Sequence, residues 1–320
     1  MESGTIPTEP RKRRSWLWLQ IVGGILAFTI LFWKLPLEKS WLAVQHAHGW
    51  PILIAGLSLF FVHFWTWLAH VNMLRALKKP QPSFWFFRAI LLSQVLGMFA
   101  PGKIGDLSIA WFLRKRDVAY GEGLAVGLYY KLVALVVTAW FGMLVLFKST
   151  NWIGIFLFIF MLPVGLIVIS KAMAKWIIPH LPRLMPHSKL AEETQTFSRA
   201  WNGLSDFKPA LINLLLALLK TINMTLTPWL LLHALGHPIS FYTVLTLSAL
   251  TRLAAMIPIS PSGLGVRELS GVIAFSHFAS VPWAVAGSMM IVSTVLNYVV
   301  AAVCYGVGIS GSSSPAEKAK

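Results

Sequence analysis

Pro101-Gly102-Lys103-Ile104-Gly105-Asp106 and Pro261-Ser262-Gly263-Leu264-Gly265-Val266-Arg267-Glu268 each break a long apolar stretch. Both breaks use one proline, two glycines, a cation and a carboxylate. Pro261 follows Pro101 by 160 positions, half of this 320-residue sequence. In a chain of membrane spans, matched Gly/Pro-broken segments in corresponding halves point to a transport site.

The surrounding composition supports the membrane setting. Hydrophobic residues make up 57% of the chain and charged residues 12%, with a mean hydropathy of +0.70, too apolar for a soluble domain of this size. Six runs reach the roughly 18–20 apolar residues that a crossing requires. They are 16–33, 50–73, 122–147, 152–170, 209–233 and 282–307. Many of the 15 tryptophans fall near run ends, where interfacial belts form. The net charge of +16 comes from basic loops rather than a basic domain, so no nucleic-acid partner is expected. One cysteine, Cys304, rules out an internal disulfide and any cysteine-based metal cluster, and reads as a small buried apolar residue. No metal and no cofactor are expected; His46 and His48 alone do not make a site.

Arg11-Lys12-Arg13-Arg14 before the first apolar run resembles a signal peptide, but no small-x-small cleavage site follows, so an uncleaved first helix is expected. The stretches 84–113 and 241–279 are too long for single spans and break at the two motifs. Read as hairpins that enter and leave on one side, they put 18 of the 27 Lys and Arg on the cytoplasmic face, leaving Lys34, Lys39 and Lys148 outside. The expected fold is an all-α polytopic membrane protein of about six spanning helices plus two re-entrant helical hairpins in an inverted-topology repeat. Its parts are a cytoplasmic basic N-terminus (1–15), one transmembrane domain (16–307) and a disordered cytoplasmic tail (308–320). Both termini face the cytoplasm of an inner (plasma) membrane. The polar segment 171–208 is expected as a cytoplasmic loop with a helix over about 188–206, whose Glu192 and Glu193 face solvent.

Backbone that is irregular at membrane depth must be buried in protein or line a watery cavity. A polar cavity between the hairpin tips is therefore expected, with Pro101, Gly102, Gly105, Pro261, Gly263 and Gly265 shaping the turns. Arg88, Lys103, Lys131, Lys220, Arg252 and Arg267 fall within the apolar region, against only Asp106 and Glu268. Each such charge costs about 2.5–3.5 kcal/mol on insertion scales, so it should be paired or functional. Six cations and two acids make an anionic ligand the expected occupant. Arg88 is expected to snorkel to an interface. Lys103, Lys131, Arg252 and Arg267 are the expected phosphate contacts, and Asp106 and Glu268 hold the cations and helix ends or carry protons. Lys220, halfway along its span, fits a packing or a binding role equally. His63 and His70 share a helical face and read as packing residues, with a proton path as the alternative.

On these residues the chain resembles the lysylphosphatidylglycerol synthase transmembrane-domain family. Ile257-Pro258-Ile259-Ser260-Pro261-Ser262-Gly263-Leu264-Gly265-Val266-Arg267-Glu268 is similar to the family's Pro-x-Ser-Pro-x-Gly-x-Gly-x-Arg-Glu pattern. Pro101–Asp106 looks like its Pro-Gly-basic-x-Gly-acid motif. Two positions depart from the pattern: Ile109 stands where members often carry Arg, and Tyr130-Lys131 supplies only the cation of an acidic–basic pair. The resemblance implies the lipid-flipping membrane half, without the aminoacyltransferase domain that makes lysyl-lipid. The expected function is a transporter that moves an anionic lipid or lipid-linked phosphate head between leaflets, with no catalytic residues. The alternatives are a membrane transferase acting on a lipid phosphate, and a non-transporting partner of a lipid-synthesis enzyme.

Overall fold

The structure, a computed structural model, describes residues 11–79, 83–99, 105, 107–146, 152–176, 188–257, 260 and 263–309. Every regular element among them is helical. The six apolar runs become α1 (Arg11–Lys34), α3 (Gly49–Ala76), α6 (Tyr120–Met143), α7 (Trp152–Trp176), α9 (Phe207–Ala234) and α12 (Trp283–Ile309). Of these, α3, α6, α9 and α12 are long and apolar enough to cross a membrane. Large apolar side chains such as Leu53, Leu57, Phe61, Leu215, Val295 and Val299 project outward from them, as lipid contact requires. The basic cluster Arg11–Arg14 forms the first turn of α1, and α12 runs two residues into the segment 308–320.

Both long apolar stretches divide at their motifs. The first gives α4 (Phe84–Phe99) and α5 (Ile109–Arg114); the second gives α10 (Phe241–Met256) and α11 (Val266–Ala279). At 16 residues, α4 and α10 are each roughly 24 Å long, short of the roughly 30 Å hydrocarbon core. The chain folds back tightly after both. A Cβ on Gly105 would run into the carbonyl of Leu96, near the end of α4. Gly263 has φ +77°, and a Cβ there would sit 2.8 Å from the Ala255 carbonyl near the end of α10. Each turn thus needs a residue without a side chain. Pro101, Gly102, Lys103, Asp106 and Pro261 lie outside the described residues.

The second turn carries its own stop and start signals. Ile257, which precedes Pro258, leaves the helical region at φ −66°, ψ 124°, as a residue before proline must. Gly265, at φ +79°, precedes α11, and its N–H donates to Glu268 Oε2 at 2.7 Å. This is the glutamate arm of a capping box, since glycine has no side chain for the other arm.

Two pairs of helices match in length, although α5 and α11, at 6 and 14 residues, do not. The helices α3 and α9 have 28 residues each, and α4 and α10 have 16 each. The pair α3 and α9 packs antiparallel: His48 N donates to Ala234 O at 3.0 Å at one end, and Asn72 Nδ2 bonds Asn213 Oδ1 at 3.1 Å near the other. Between them, Asn223 Nδ2 donates to Ser58 O at 2.7 Å, and Ser58 meets Thr227 at 3.2 Å. Across this axis α6 packs on α10 and, reciprocally, α12 packs on α4. The pairs α5–α6 and α11–α12 correspond in the same way.

The polar segment forms its expected helix but packs it against the bundle. Its helix, α8 (Ser188–Leu204), lies against α6 with Phe197 and Trp201 buried, and Trp201 Nε1 donates to Ser170 O at 3.0 Å. Glu192 is exposed, but Glu193 Oε2 accepts the Gly121 N–H at 2.6 Å and satisfies an otherwise open donor in the first turn of α6. A short helix not foreseen from sequence, α2 (Leu37–Gln45), is tied to α12 by Ser288 Oγ donating to Ser40 O at 3.0 Å.

Gly263→Ala should lose about 2–3 kcal/mol, combining left-handed strain with the carbonyl clash, in thermal unfolding in detergent. Gly306→Ala, where a Cβ meets open space within α12, should be neutral or slightly stabilising in the same measurement. Equal losses at the two positions would contradict the tight turn.

Candidate functional site

A cavity of about 210 Å³ lies where the two breaks approach one another. Gly97 and Met98, before the first break, and Leu264 and Arg267, around the second, wall the same space. A smaller cavity of about 90 Å³ adjoins it, and Leu59, Met224, Arg267 and Asn297 line both. Pro228 lies in the wall of the smaller one. Having no N–H, it leaves the Met224 carbonyl without its helical donor, so the α9 ladder opens at the cavity.

Arg267 stands between the two spaces. Its Nη2 donates to Glu268 Oε1 at 2.6 Å and to Thr294 Oγ1 at 2.7 Å, and its Nε reaches Glu268 Oε1 at 3.0 Å. The Thr294 hydroxyl also donates to Glu268 Oε1, at 2.7 Å. Glu268 is 1% exposed, and both of its oxygens are taken: Oε2 by the Gly265 N–H, Oε1 by arginine and threonine. The carboxylate therefore fixes the start of α11 and the guanidinium at once. Arg267 keeps 28% of its side chain exposed, toward the cavities.

The other cations are placed differently. Arg252 lines the smaller cavity with Ser248 and Thr251, and its Nε and Nη2 are buried with no hydrogen-bond partner among the described residues. Lys220 lines the larger cavity and donates to the Tyr130 hydroxyl, which in turn meets Thr66 Oγ1 at 3.0 Å. Lys131 is half-buried and lines neither cavity. Lys103 and Asp106 lie outside the described residues. Arg88 donates from Nε and Nη2 to the carbonyls of Val307 and Gly308, both at 2.9 Å. A cation on the last carbonyls of a helix is favoured by the helix dipole and satisfies orphan acceptors.

The histidines expected as packing residues also face the larger cavity. His63 Nδ1 bonds Gln94 Oε1 at 3.1 Å, and His70 Nδ1 donates to Thr66 O at 2.8 Å. Gln94, Thr294 and Asn297 have no part in the sequence reading, and Tyr130 enters it only as the neighbour of Lys131. A signal for Thr294 and Asn297 was present: Ser293, Thr294 and Asn297 put polar groups on one face of an otherwise apolar span, at helical spacing.

Chemically, the arrangement offers three cations around two adjoining cavities and one carboxylate engaged by Gly265, Arg267 and Thr294. Such a site favours an anion. Glu268→Gln should cost about 1–3 kcal/mol of stability, because it leaves a partly buried guanidinium without its counter-ion. Thermal unfolding in detergent measures this, and an unchanged midpoint would contradict the anchoring role.

No curated protein and no solved structure matches the chain. The family described as the lysylphosphatidylglycerol synthase TM region matches residues 16–304, nearly all of the helical bundle. The chain is thus an integral membrane protein that belongs to the lysylphosphatidylglycerol synthase TM-region family, whose name ties it to lipid headgroups.

Proposed function

We propose that the protein is a lipid transporter that carries an anionic phospholipid or lipid-linked phosphate head between leaflets, without a catalytic step. The observation that carries this reading is the pair of joined cavities walled by Lys220, Arg252 and Arg267 beside both helix breaks. The phosphate head sits among the cations near the membrane midplane, and the acyl chains remain in lipid.

The matched halves supply a way to alternate access. The equal lengths of α3 and α9 and of α4 and α10, the antiparallel α3–α9 pair and the reciprocal α6–α10 and α12–α4 packing support an inverted-topology repeat. In this reading α4–α5 and α10–α11 are re-entrant hairpins from opposite faces, and both termini are cytoplasmic in an inner membrane. Rocking of one half against the other opens the cavities to each side in turn.

The test is reconstitution in liposomes with fluorescent phosphatidylglycerol, scoring its loss from the outer leaflet by a membrane-impermeant quencher. Wild-type protein should accelerate translocation over empty liposomes. Arg267→Ala should slow it about tenfold or more, the usual effect of removing a charge-assisted hydrogen bond. Flux that Arg267→Ala leaves unchanged would sink the site, and no flux above empty liposomes would sink the function.

A further inference from the structure

The two hairpins differ where they meet the membrane surface. At the mouth of the first, the turn after α3 and the turn after α5 lie side by side. Lys79 Nζ donates to Asp117 O at 3.2 Å, and the Arg116 guanidinium sits 4.9 Å from the centre of the Trp85 ring at the start of α4. These contacts gather Arg75, Lys78 and Lys79 with Arg114, Lys115 and Arg116, all exposed except the half-buried Lys79. Their acidic neighbours are Asp117 and Glu122, and Glu122 is already paired with Lys79 at 3.5 Å. The helix α8, packed alongside on α6, brings two glutamates and Arg199 and leaves a cationic excess. Residues 80–82, outside the described residues, are Pro-Gln-Pro and add no charge.

The mouth of the second hairpin has no such patch. From 233 to 242 and from 277 to 285 the chain carries no Lys, Arg, Asp or Glu, only His233, His237 and His277. Beside it, α2 adds Lys39 and Glu38, which cancel, and Lys34 ends α1. Large apolar rings complete the first mouth. Phe84 is 66% exposed and Trp111 53%, with Lys115 Nζ 4.2 Å from the centre of the Trp111 ring. Aromatic rings interleaved with cations suit headgroup depth, where the rings meet acyl chains and the charges meet phosphate. The bilayer supplies both halves of that contact at once.

We propose that the mouth of the first hairpin is a surface site for anionic phospholipid heads, which gathers them at the entrance to the cavities. This rests on the reading of a lipid transporter with two re-entrant hairpins, and it adds a loading face. The helix α4 leads from the patch at Phe84 to the cavity wall at Gly97, roughly 20 Å along its axis. The patch is therefore separate from Arg252 and Arg267 and governs the supply of lipid to them. One exposed cation attracts anionic lipid weakly, and six in one place act together. Salt screens such attraction, as the Debye length falls from about 10 Å at 0.1 M to about 3 Å at 1 M. A passive path equilibrates lipid whichever mouth binds it. The asymmetry sets how readily the first mouth is occupied, not the final distribution between leaflets.

The experiment reads the local lipid composition at both mouths of the full chain in liposomes of phosphatidylcholine and phosphatidylglycerol. A donor dye is placed on Ser83→Cys at the first mouth or on Ser280→Cys at the second. Both positions are exposed, whereas the native Cys304 is buried. Energy transfer to acceptor-labelled phosphatidylglycerol is compared with transfer to the same label on phosphatidylcholine. Near Ser83, phosphatidylglycerol should be enriched about threefold or more at about 0.1 M salt and approach parity at about 1 M. Near Ser280 it should stay at parity throughout. Arg114→Gln, Lys115→Gln and Arg116→Gln together should at least halve the enrichment. These three side chains are exposed, and the comparison of the two mouths stands without the triple variant. Equal enrichment at both mouths, enrichment that salt leaves unchanged, or none at Ser83 would overturn the site. A triple variant that keeps the full enrichment would reduce these cations to a topology signal and overturn it too. Enrichment without translocation overturns the transport reading alone; translocation without enrichment overturns the loading site alone.

Discussion

Two 28-residue helices, α3 and α9, run antiparallel and are joined by hydrogen bonds at both ends and in between: His48 to Ala234, Asn72 to Asn213, Asn223 to Ser58. In a protein embedded in lipid, apolar surface gains little by moving from lipid to protein, so polar rungs and close packing hold helices together. The pair fixes the register of everything else. His63, Thr66 and His70 on α3 and Lys220 and Met224 on α9 face one cavity because these helices cannot slide past each other without breaking the rungs. The breaks reach that cavity from either side through the cross-packing of α6 on α10 and α12 on α4.

Apart from α2, the elements were legible in the sequence, and their partners were not. Apolar length is enough to mark α3, α6, α9 and α12, and Pro/Gly chemistry is enough to mark the turns after α4 and α10, because both are properties of contiguous residues. Glu193 shows the limit. Its neighbours read as a polar surface helix, yet its carboxylate caps α6 through Gly121, a residue 72 positions earlier. Arg252 and Lys131 make a similar contrast. Both are cations in apolar surroundings and are indistinguishable by hydropathy, but only Arg252 borders the cavities. Which face of a helix turns inward depends on its packing partners, and no local pattern encodes that for spans apolar on nearly all sides.

The same geometry explains why Glu268 alone does not neutralise the site. Its oxygens hold α11 and Arg267 in place, so its one charge is spent on Arg267, leaving Lys220 and Arg252 without a carboxylate among the described residues. The glutamate and Thr294 convert a flexible arginine into a fixed fork between two cavities. Preorganisation of this kind spares the ligand the entropy of ordering the side chain on arrival. Pro228 leaves the Met224 carbonyl without its helical donor on the same wall, while α9 continues through it.

The bonds from Arg88 to the carbonyls of Val307 and Gly308 span about 220 residues of chain. A ribosome makes Arg88 long before it makes those carbonyls. Throughout synthesis of the second half, α4 holds a guanidinium whose acceptors among the described residues come from the last turn of α12. The last turn of α12 thus acts as a latch for α4. Until α12 is in place those two bonds are unmade, and the guanidinium is left to water and lipid headgroups.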